Sequence, residues 1–324
     1  MTSTNHTTAG GVILFSGGVG GAKLALGLDR ILPAGALTII ANIGDDFRHM
    51  GLAISPDIDT LVYTLAGLVD TDKGWGRAEE SWNFMAELRR LGGETWFQLG
   101  DRDLATHVER SRRLEAGETL ATITRETCQR LGIRSRIVPA SDKRVQTRVV
   151  TEAGVLAFQD YFVRRRAEPV VSELRFIGAS EATPPVTAVA ALRDPALQAL
   201  VIAPSNPWLS IDPILSVPAL RTALEQANVP RIAVSPLVDG EAIKGPTAKL
   251  MAELGLPVNQ ASIARHYRGL IDGLILDHAD SAEVEAVEAL GIRATTTATV
   301  MRSLEDRQAL AAFALEFAAS LRRS

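Results

Sequence analysis

Short runs of continuous apolar, β-branched residues alternate along the chain with stretches whose apolar positions recur every three or four residues. Residues 12–15 form the first such run and end in Ser16, Gly17, Gly18, Val19, Gly20 and Gly21. A helical pattern follows over 22–32, and residues 37–43 form a second apolar run. Strand, glycine turn, helix and strand predict a βαβ unit opening a parallel sheet. Residues 199–203, 231–235 and 274–277 repeat the texture of strands covered on both faces. The pattern predicts an α/β fold with a mostly parallel sheet.

Residues 60–131 read mainly as helix, with 79–91 and 104–114 the plainest cases, and predict a helical insertion packed over the strand ends. Alternating runs over 148–165 flank Ala153 and Gly154 and predict an antiparallel hairpin. Leu310, Phe313, Phe317 and Leu321 share one helical face, which closes the core. The expected organisation is a nucleotide-binding core of 11–59 and 132–324, an insertion of 60–131, and a flexible N-terminus of 1–10.

The glycine turn carries the first candidate chemistry. Gly17, Gly18, Gly20 and Gly21 let backbone N–H groups approach a ligand, and the following helix adds its positive end, an arrangement that suits phosphate. Lys23 adds a cation. Ala22 stands where a Walker loop needs lysine, and Lys23 stands where a dinucleotide loop needs its third glycine. The same glycines would also serve a tight turn made for packing alone.

The second apolar run leads into Asp45 and Asp46, and Asp57 and Asp59 follow. Loops after parallel strands line the ligand crevice, and four carboxylates beside a phosphate loop would repel the ligand unless a cation such as Mg²⁺ lay between. Asp45, Asp46, Asp57 and Asp59 are therefore candidate metal ligands, with Asp57 or Asp59 capping a helix from Thr60 as the plainer alternative. His49 reads as a loop residue. Arg102 and His107 open a helix that also carries Asp103 and Arg110. They are read as reaching a diphosphate or an acceptor hydroxyl, or as parts of a cap with surface ion pairs. Ser205 and Asn206 lie between two prolines after an apolar run and suit a nucleobase or phosphate, though Asx-turn chemistry also explains Asn206. Residues 244–247 offer a weaker second anion-binding helix start.

Composition narrows the setting. The 324 residues are 46% hydrophobic, enough for a large core, and the net charge of −4 speaks against a general nucleic-acid or anionic-membrane binder. One cysteine, Cys128, forms no intramolecular disulfide and reads as core. Neither a signal peptide nor an apolar run of spanning length is visible, so a cytoplasmic location is expected.

Six segments occur together in one order: Ser16-Gly-Gly-Val-Gly-Gly-Ala-Lys23, Asn42-Ile-Gly-Asp-Asp46, Ser55-Pro-Asp-Ile-Asp-Thr60, Leu99-Gly-Asp-Arg-Asp-Leu-Ala-Thr-His107, Pro139-Ala-Ser-Asp142 and Ala203-Pro-Ser-Asn-Pro207. In this the chain resembles the 2-phospho-L-lactate transferase family of coenzyme F-420 biosynthesis. The resemblance implies a Rossmann-like three-layer αβα fold, a homodimer, and Mg²⁺-assisted chemistry. The implied acceptor is the deazaflavin Fo, whose terminal ribityl hydroxyl attacks a guanosine diphosphate ester of a phospho-acid and displaces GMP. Phospholactate, phosphoenolpyruvate and phosphoglycerate donors all stay open. In that scheme the glycine loop and Lys23 hold the diphosphate, the four aspartates hold metal and contact Fo, and Ser205 and Asn206 meet the guanosine. Asp59 is the expected base, with Asp45 beside it. The rivals are a non-catalytic nucleotide-sugar-binding regulator of related fold and a nicotinamide-dependent oxidoreductase.

Overall fold

A computed structural model describes residues 11–243 and 245–322; the expected flexible segment 1–10 and Lys244 lie outside them. The chain opens with β1 (Gly11–Ser16), α1 (Gly18–Ile31) and β2 (Leu37–Ala41). A small antiparallel ribbon, β3 (Phe47–His49) and β4 (Leu52–Ile54), leads into α2 (Pro56–Leu65). Then come α3 (Asn83–Arg90), α4 (Asp101–Glu115), α5 (Leu120–Arg130) and β5 (Arg136–Pro139). An antiparallel sheet of β6 (Gln146–Thr151), β7 (Gly154–Ala157) and β8 (Val171–Ile177) follows, and α6 (Val186–Leu192) returns the chain to β9 (Leu197–Ile202). The last third holds α7 (Asp212–Leu215), α8 (Pro218–Glu225), β10 (Arg231–Val234), the ribbon β11 (Leu237–Val238) and β12 (Glu241–Ala242), α9 (Thr247–Glu253) and α10 (Gln260–His266). It closes with β13 (Gly273–Asp277), α11 (Val284–Glu288), β14 (Arg293–Thr297) and α12 (Leu304–Ser320).

Seven strands form the central sheet in the order β14-β13-β10-β9-β1-β2-β5, and all of its pairings are parallel. The chain builds outward from β1 to β2 and β5, then crosses back beside β1 and builds the other way from β9. This is the doubly wound order, and the crevice at its reversal lies outside the carboxyl ends of β1 and β9. The inner strands are apolar on both faces: Ile13, Leu14, Ile39, Ile40, Leu200, Val201, Leu274 and Ile275 are all buried. The expected α/β, Rossmann-like architecture is the one observed.

The boundary expected at residue 60 falls inside α2. Ile58, Leu61, Val62 and Leu65 of that helix belong to the main core, so α2 is part of the sandwich. A separate small cluster of Ile54, Met85 and Leu99 marks the part that stands apart. Helix also covers less of 60–131 than its periodicity predicts, because 66–82 and 91–100 hold no helix. The expected hairpin is real, but β6 pairs with β8 as well as β7, making three strands. On α12 the contact with α1 is made by small residues: a Cβ on Gly27 would strike the Arg307 carbonyl and sit 3.2 Å from Ala311 Cβ. Leu310 is buried as expected, whereas Phe313, Phe317 and Leu321 pack at the core's edge.

Candidate active site

The glycine turn and the loop after β9 meet at the reversal of strand order. Ser205 Oγ donates to the Gly17 carbonyl at 2.6 Å, tying the two loops together. Three of the four glycines are required by this meeting. A Cβ on Gly20 would run into the Pro204 carbonyl, one on Gly21 into the Ser16 and Ser205 hydroxyls, and one on Gly17 into Asp57 Oδ2 at 2.6 Å. Gly18 instead needs its left-handed backbone, φ 67°. The N-cap Gly17 supplies no capping side chain and no acid lies in the first turn of α1, so the one carboxylate at its positive end is Asp57 of α2, on the Gly18 N–H. Gly20→Ala is accordingly expected to destabilise the protein by about 1–3 kcal/mol, since a carbonyl of a proline-stiffened loop must move. Urea denaturation measures this, and an unchanged midpoint would show that the loops separate freely.

α2 delivers the carboxylates. Asp57 Oδ1 accepts from the Gly18 N–H at 2.7 Å, and its Oδ2 accepts from Asn42 Nδ2 at 2.8 Å. The same amide nitrogen lies 3.0 Å from Asp45 Oδ1, so Asn42 holds both acids at the end of β2. Asp46 Oδ2 accepts from Ser55 Oγ at 2.8 Å, while its Oδ1 is buried with no partner among the described residues. Burial first, and then the charge of Asp57, push the Asp45 carboxyl well above the usual carboxylate range; Asn42 works against the shift. Burial likewise raises Asp46, against the Ser55 hydrogen bond and the Arg110 charge, and it raises Asp57 against Asn42 and the Gly18 N–H. These acids repel one another in a place poor in water.

Asp59 faces the other way. Arg110 on α4 grips both of its oxygens, with Nη1 3.0 Å from Oδ2 and Nη2 on Oδ1. His107, also buried, places Nδ1 3.7 Å from Asp59 Oδ2 and Nε2 3.2 Å from Asp103 Oδ2. Tyr63 OH donates to Asp103 Oδ1 at 2.6 Å. Burial opposes the charge on Arg110, but the Asp59 carboxylate outweighs it and raises that guanidinium's pKa. Burial also opposes the charge on Asp103 and is outweighed by His107, which leaves that carboxyl below its ordinary value.

Residues 12–307 match the family described as 2-phospho-L-lactate transferase CofD. The chain belongs to that family. Relatives named phosphoenolpyruvate transferase include one from Streptomyces griseus, 38% identical over 96% of this chain and 99% of its own length. Another, from Mycobacterium tuberculosis, is 37% identical over 85% of this chain and 90% of its own length. A crystal structure of a UPF0052 family member from Bacillus halodurans shares the fold, with a TM-score of 0.62 at 16% identity, covering 95% of this chain and 99% of that one.

In this CofD family member the residues singled out in the sequence separate into two groups. Gly17, Gly18, Gly20, Gly21, Asp45, Asp46, Asp57 and Ser205 meet at the crevice. The others have commitments elsewhere. Lys23, in the second turn of α1, directs its Nζ to the Met301 carbonyl at 2.8 Å. Arg102 is exposed and pairs with Glu79 at 3.1 Å, so the surface ion-pair reading fits it better than a diphosphate contact. Asn206 Oδ1 caps the turn after it, accepting from the Trp208 and Leu209 N–H groups at 3.0 Å each, as its Asx reading allows. His107 and Asp59 are sealed in the α2–α4 contact. His49 is not in a loop: it lies in β3, buried between Trp96 and Phe97. Cys128 is core, its thiol pushed up to about 12 by burial. No three His, Cys, Asp or Glu side chains among the described residues are grouped to hold a metal ion, and no described helix is long and apolar enough to cross a membrane. Asn42, Ser55, Tyr63 and Arg110 complete the site without having been singled out for it. The spacing signal for Arg110 is its position three residues after His107 on the same helical stripe.

Proposed function

We propose that the chain transfers a phospho-acid from a guanosine diphosphate ester to the terminal ribityl hydroxyl of the deazaflavin Fo. The hydroxyl oxygen bonds to the acid-bearing phosphorus, the bond to the second phosphate breaks, and GMP leaves with the electron pair. The observation that carries this reading is one crevice, at the reversal of strand order, where the glycine-rich start of α1 meets buried, mutually repelling carboxylates. The names of the relatives favour an enolpyruvate donor over lactate or glycerate. A homodimer in the cytoplasm belongs to the same reading.

Asp45 and Asp57 fit a divalent ion. Both are raised in pKa by burial, both are tethered by Asn42, and Asp45 Oδ2 has no partner among the described residues. Magnesium commonly takes one or two carboxylates and completes its shell with substrate phosphates and water, so a pair suffices where three are not grouped. When bound there, Mg²⁺ would neutralise the diphosphate and the charge that develops on the departing GMP. The N–H groups at the start of α1 bind phosphate oxygens. Asp46 Oδ1, unpartnered, is the best-placed acceptor for the hydroxyl proton, a role that Asp59 cannot fill while Arg110 holds both its oxygens. Phosphoryl transfer asks mostly for positioning and charge neutralisation, and these residues supply both.

The test mixes purified protein with Fo, Mg²⁺ and each guanylylated acid in turn, and follows GMP and the phosphodiester by chromatography and mass. GMP and product with the enolpyruvyl donor are expected. Absence of product with every donor refutes the proposal, and tight binding of a nucleotide sugar without turnover would favour the regulator instead.

A further inference from the structure

One turn of the chain stands behind both halves of the crevice. After β9, Asn206 leads into a single wide helical turn, Pro207–Ile211, in which the Ile211 N–H reaches back to the Asn206 carbonyl at 3.2 Å. Turns of this width are uncommon and recur beside functional sites. Its residues are all buried, and three points on it or next to it touch the site. A Cβ on Gly17 would lie 2.8 Å from Ser210 Cβ, and one on Gly44 would lie 2.6 Å from Pro213 Cβ. The Leu209 carbonyl lies 3.5 Å from Asn42 Nδ2, the amide that tethers Asp45 and Asp57. In a close-packed interior, a shift of this turn moves the glycine turn and the carboxylates with it, or opens a gap behind them.

A single side chain grips this turn at both ends. His266 is the last residue of α10. Its Nε2 lies 2.9 Å from Asp212 Oδ1, so the ring donates to the carboxylate just beyond the turn. The same ring packs on the Trp208 indole, near the turn's start, with centroids 4.9 Å apart and planes inclined by 52°. The buried Tyr267 ring meets the imidazole edge-on at 5.2 Å and limits its rotation. Imidazole is suited to this double duty, being flat enough to pack on an indole and able to donate from its edge. None of these three partners belongs to the group that meets at the crevice, so His266 acts on the site through the turn.

We infer that His266 is a positioning residue for the transfer reaction: by holding Trp208 and Asp212 it fixes the wall on which the glycine turn and the Asn42 tether are seated. The inference rests on the transferase reading above. Phosphoryl transfer depends mostly on positioning, and a displacement of about 1 Å can cost about a hundredfold in rate. A loosened wall therefore shows in kcat, beyond any effect on stability.

The test uses the full chain and measures kcat at saturating substrates, GDP affinity by calorimetry, and melting temperature. His266→Ala removes the grip, His266→Gln sets an amide nitrogen near the place of Nε2, and Asp212→Ala removes the acceptor. Cys128→Ala, buried in the core on α5 at the β5 flank of the sheet, serves as a destabilised control. His266→Ala is expected to lower kcat at least about tenfold, the scale of one hydrogen bond to a carboxylate, and GDP affinity at least about threefold. His266→Gln should keep kcat within about threefold of the parent. The double variant His266→Ala/Asp212→Ala should be no slower than either single one, because the two side chains act as a unit. If His266→Ala loses melting temperature but keeps kcat within about twofold, the grip serves stability alone and the inference is overturned. Additive losses in the double variant, or an equal loss of kcat in the Cys128→Ala control, overturn it too. A parent chain that turns over no donor but binds GDP sinks the transferase reading by itself. The grip is then judged on GDP affinity, and an unchanged value in His266→Ala overturns it. A parent that neither turns over nor binds GDP sinks both.

Discussion

Asp45→Asn is expected to lower turnover about a thousandfold while raising the melting temperature at neutral pH. A thousandfold corresponds to roughly 4 kcal/mol of transition-state stabilisation, the scale of a lost metal contact to a transferring phosphate. The gain in stability has the same origin as the loss of activity. Asp45 is buried beside Asp57 and its carboxyl is held above its ordinary range. A group whose folded pKa is raised costs nothing at low pH, where both states are protonated. The cost grows as pH rises from the unfolded value through the folded one. Asparagine does not titrate and keeps the shape, so variant and parent should melt alike near about pH 4 and diverge towards about pH 7. Saturating Mg²⁺ should stabilise the parent and leave the variant unmoved, because linkage acts only where the ion binds. Calorimetric melts with and without Mg²⁺, alongside a GMP-release assay, measure all of this. A variant that is less stable than the parent at neutral pH without metal would show that the carboxylate is not the repelled, open group described above.

The core strands and the glycine turn are legible in the sequence because their residues are forced by burial on both sides. Val12 to Phe15 and Leu274 to Leu276 have no polar positions to confuse the pattern. Of the seven central strands, the two that the pattern misses, β5 and β14, are the outermost pair. β14 reads Arg-Ala-Thr-Thr-Thr and none of it is fully buried, so no apolar run announces it. β5 is four residues long and opens on an exposed arginine. The site divides in the same way. That Asp45, Asp46 and Asp57 belong near the glycine turn follows from the loops after parallel strands, because topology puts those loops on one edge. Which oxygens remain open does not follow. Asp57 meets the Gly18 N–H across 39 positions and Asp59 meets Arg110 across 51, and no local periodicity encodes such pairs. Asp57 and Asp59 look equivalent in the sequence, but only two positions apart on α2 they turn to different neighbours, one to the glycine turn and one to α4.

That divergence predicts the second large effect. Arg110→Met should destabilise the protein by about 3–5 kcal/mol, because Asp59 is left as a buried charge without its counter-ion, and Asp59→Asn alone should cost a similar amount by stranding the guanidinium. Combining them removes both charges, and the double variant should recover most of the lost stability, since replacing a buried pair outright is often close to neutral. Activity then separates the roles of the carboxylates. If Asp59 acts only by pinning α2 to α4, the double variant keeps turnover within about tenfold of the parent, as α2 still presents Asp57 to Gly18. If Asp59 were the base or a metal ligand, no partner substitution could restore it, and the double variant would be as inactive as Asp59→Asn despite being folded. Denaturation midpoints for the four members of the cycle, with kcat and KM for each, decide between these. The positional role also predicts that His107, 3.2 Å from Asp103 and in the same sealed contact, changes stability on substitution and leaves KM for the donor where it was.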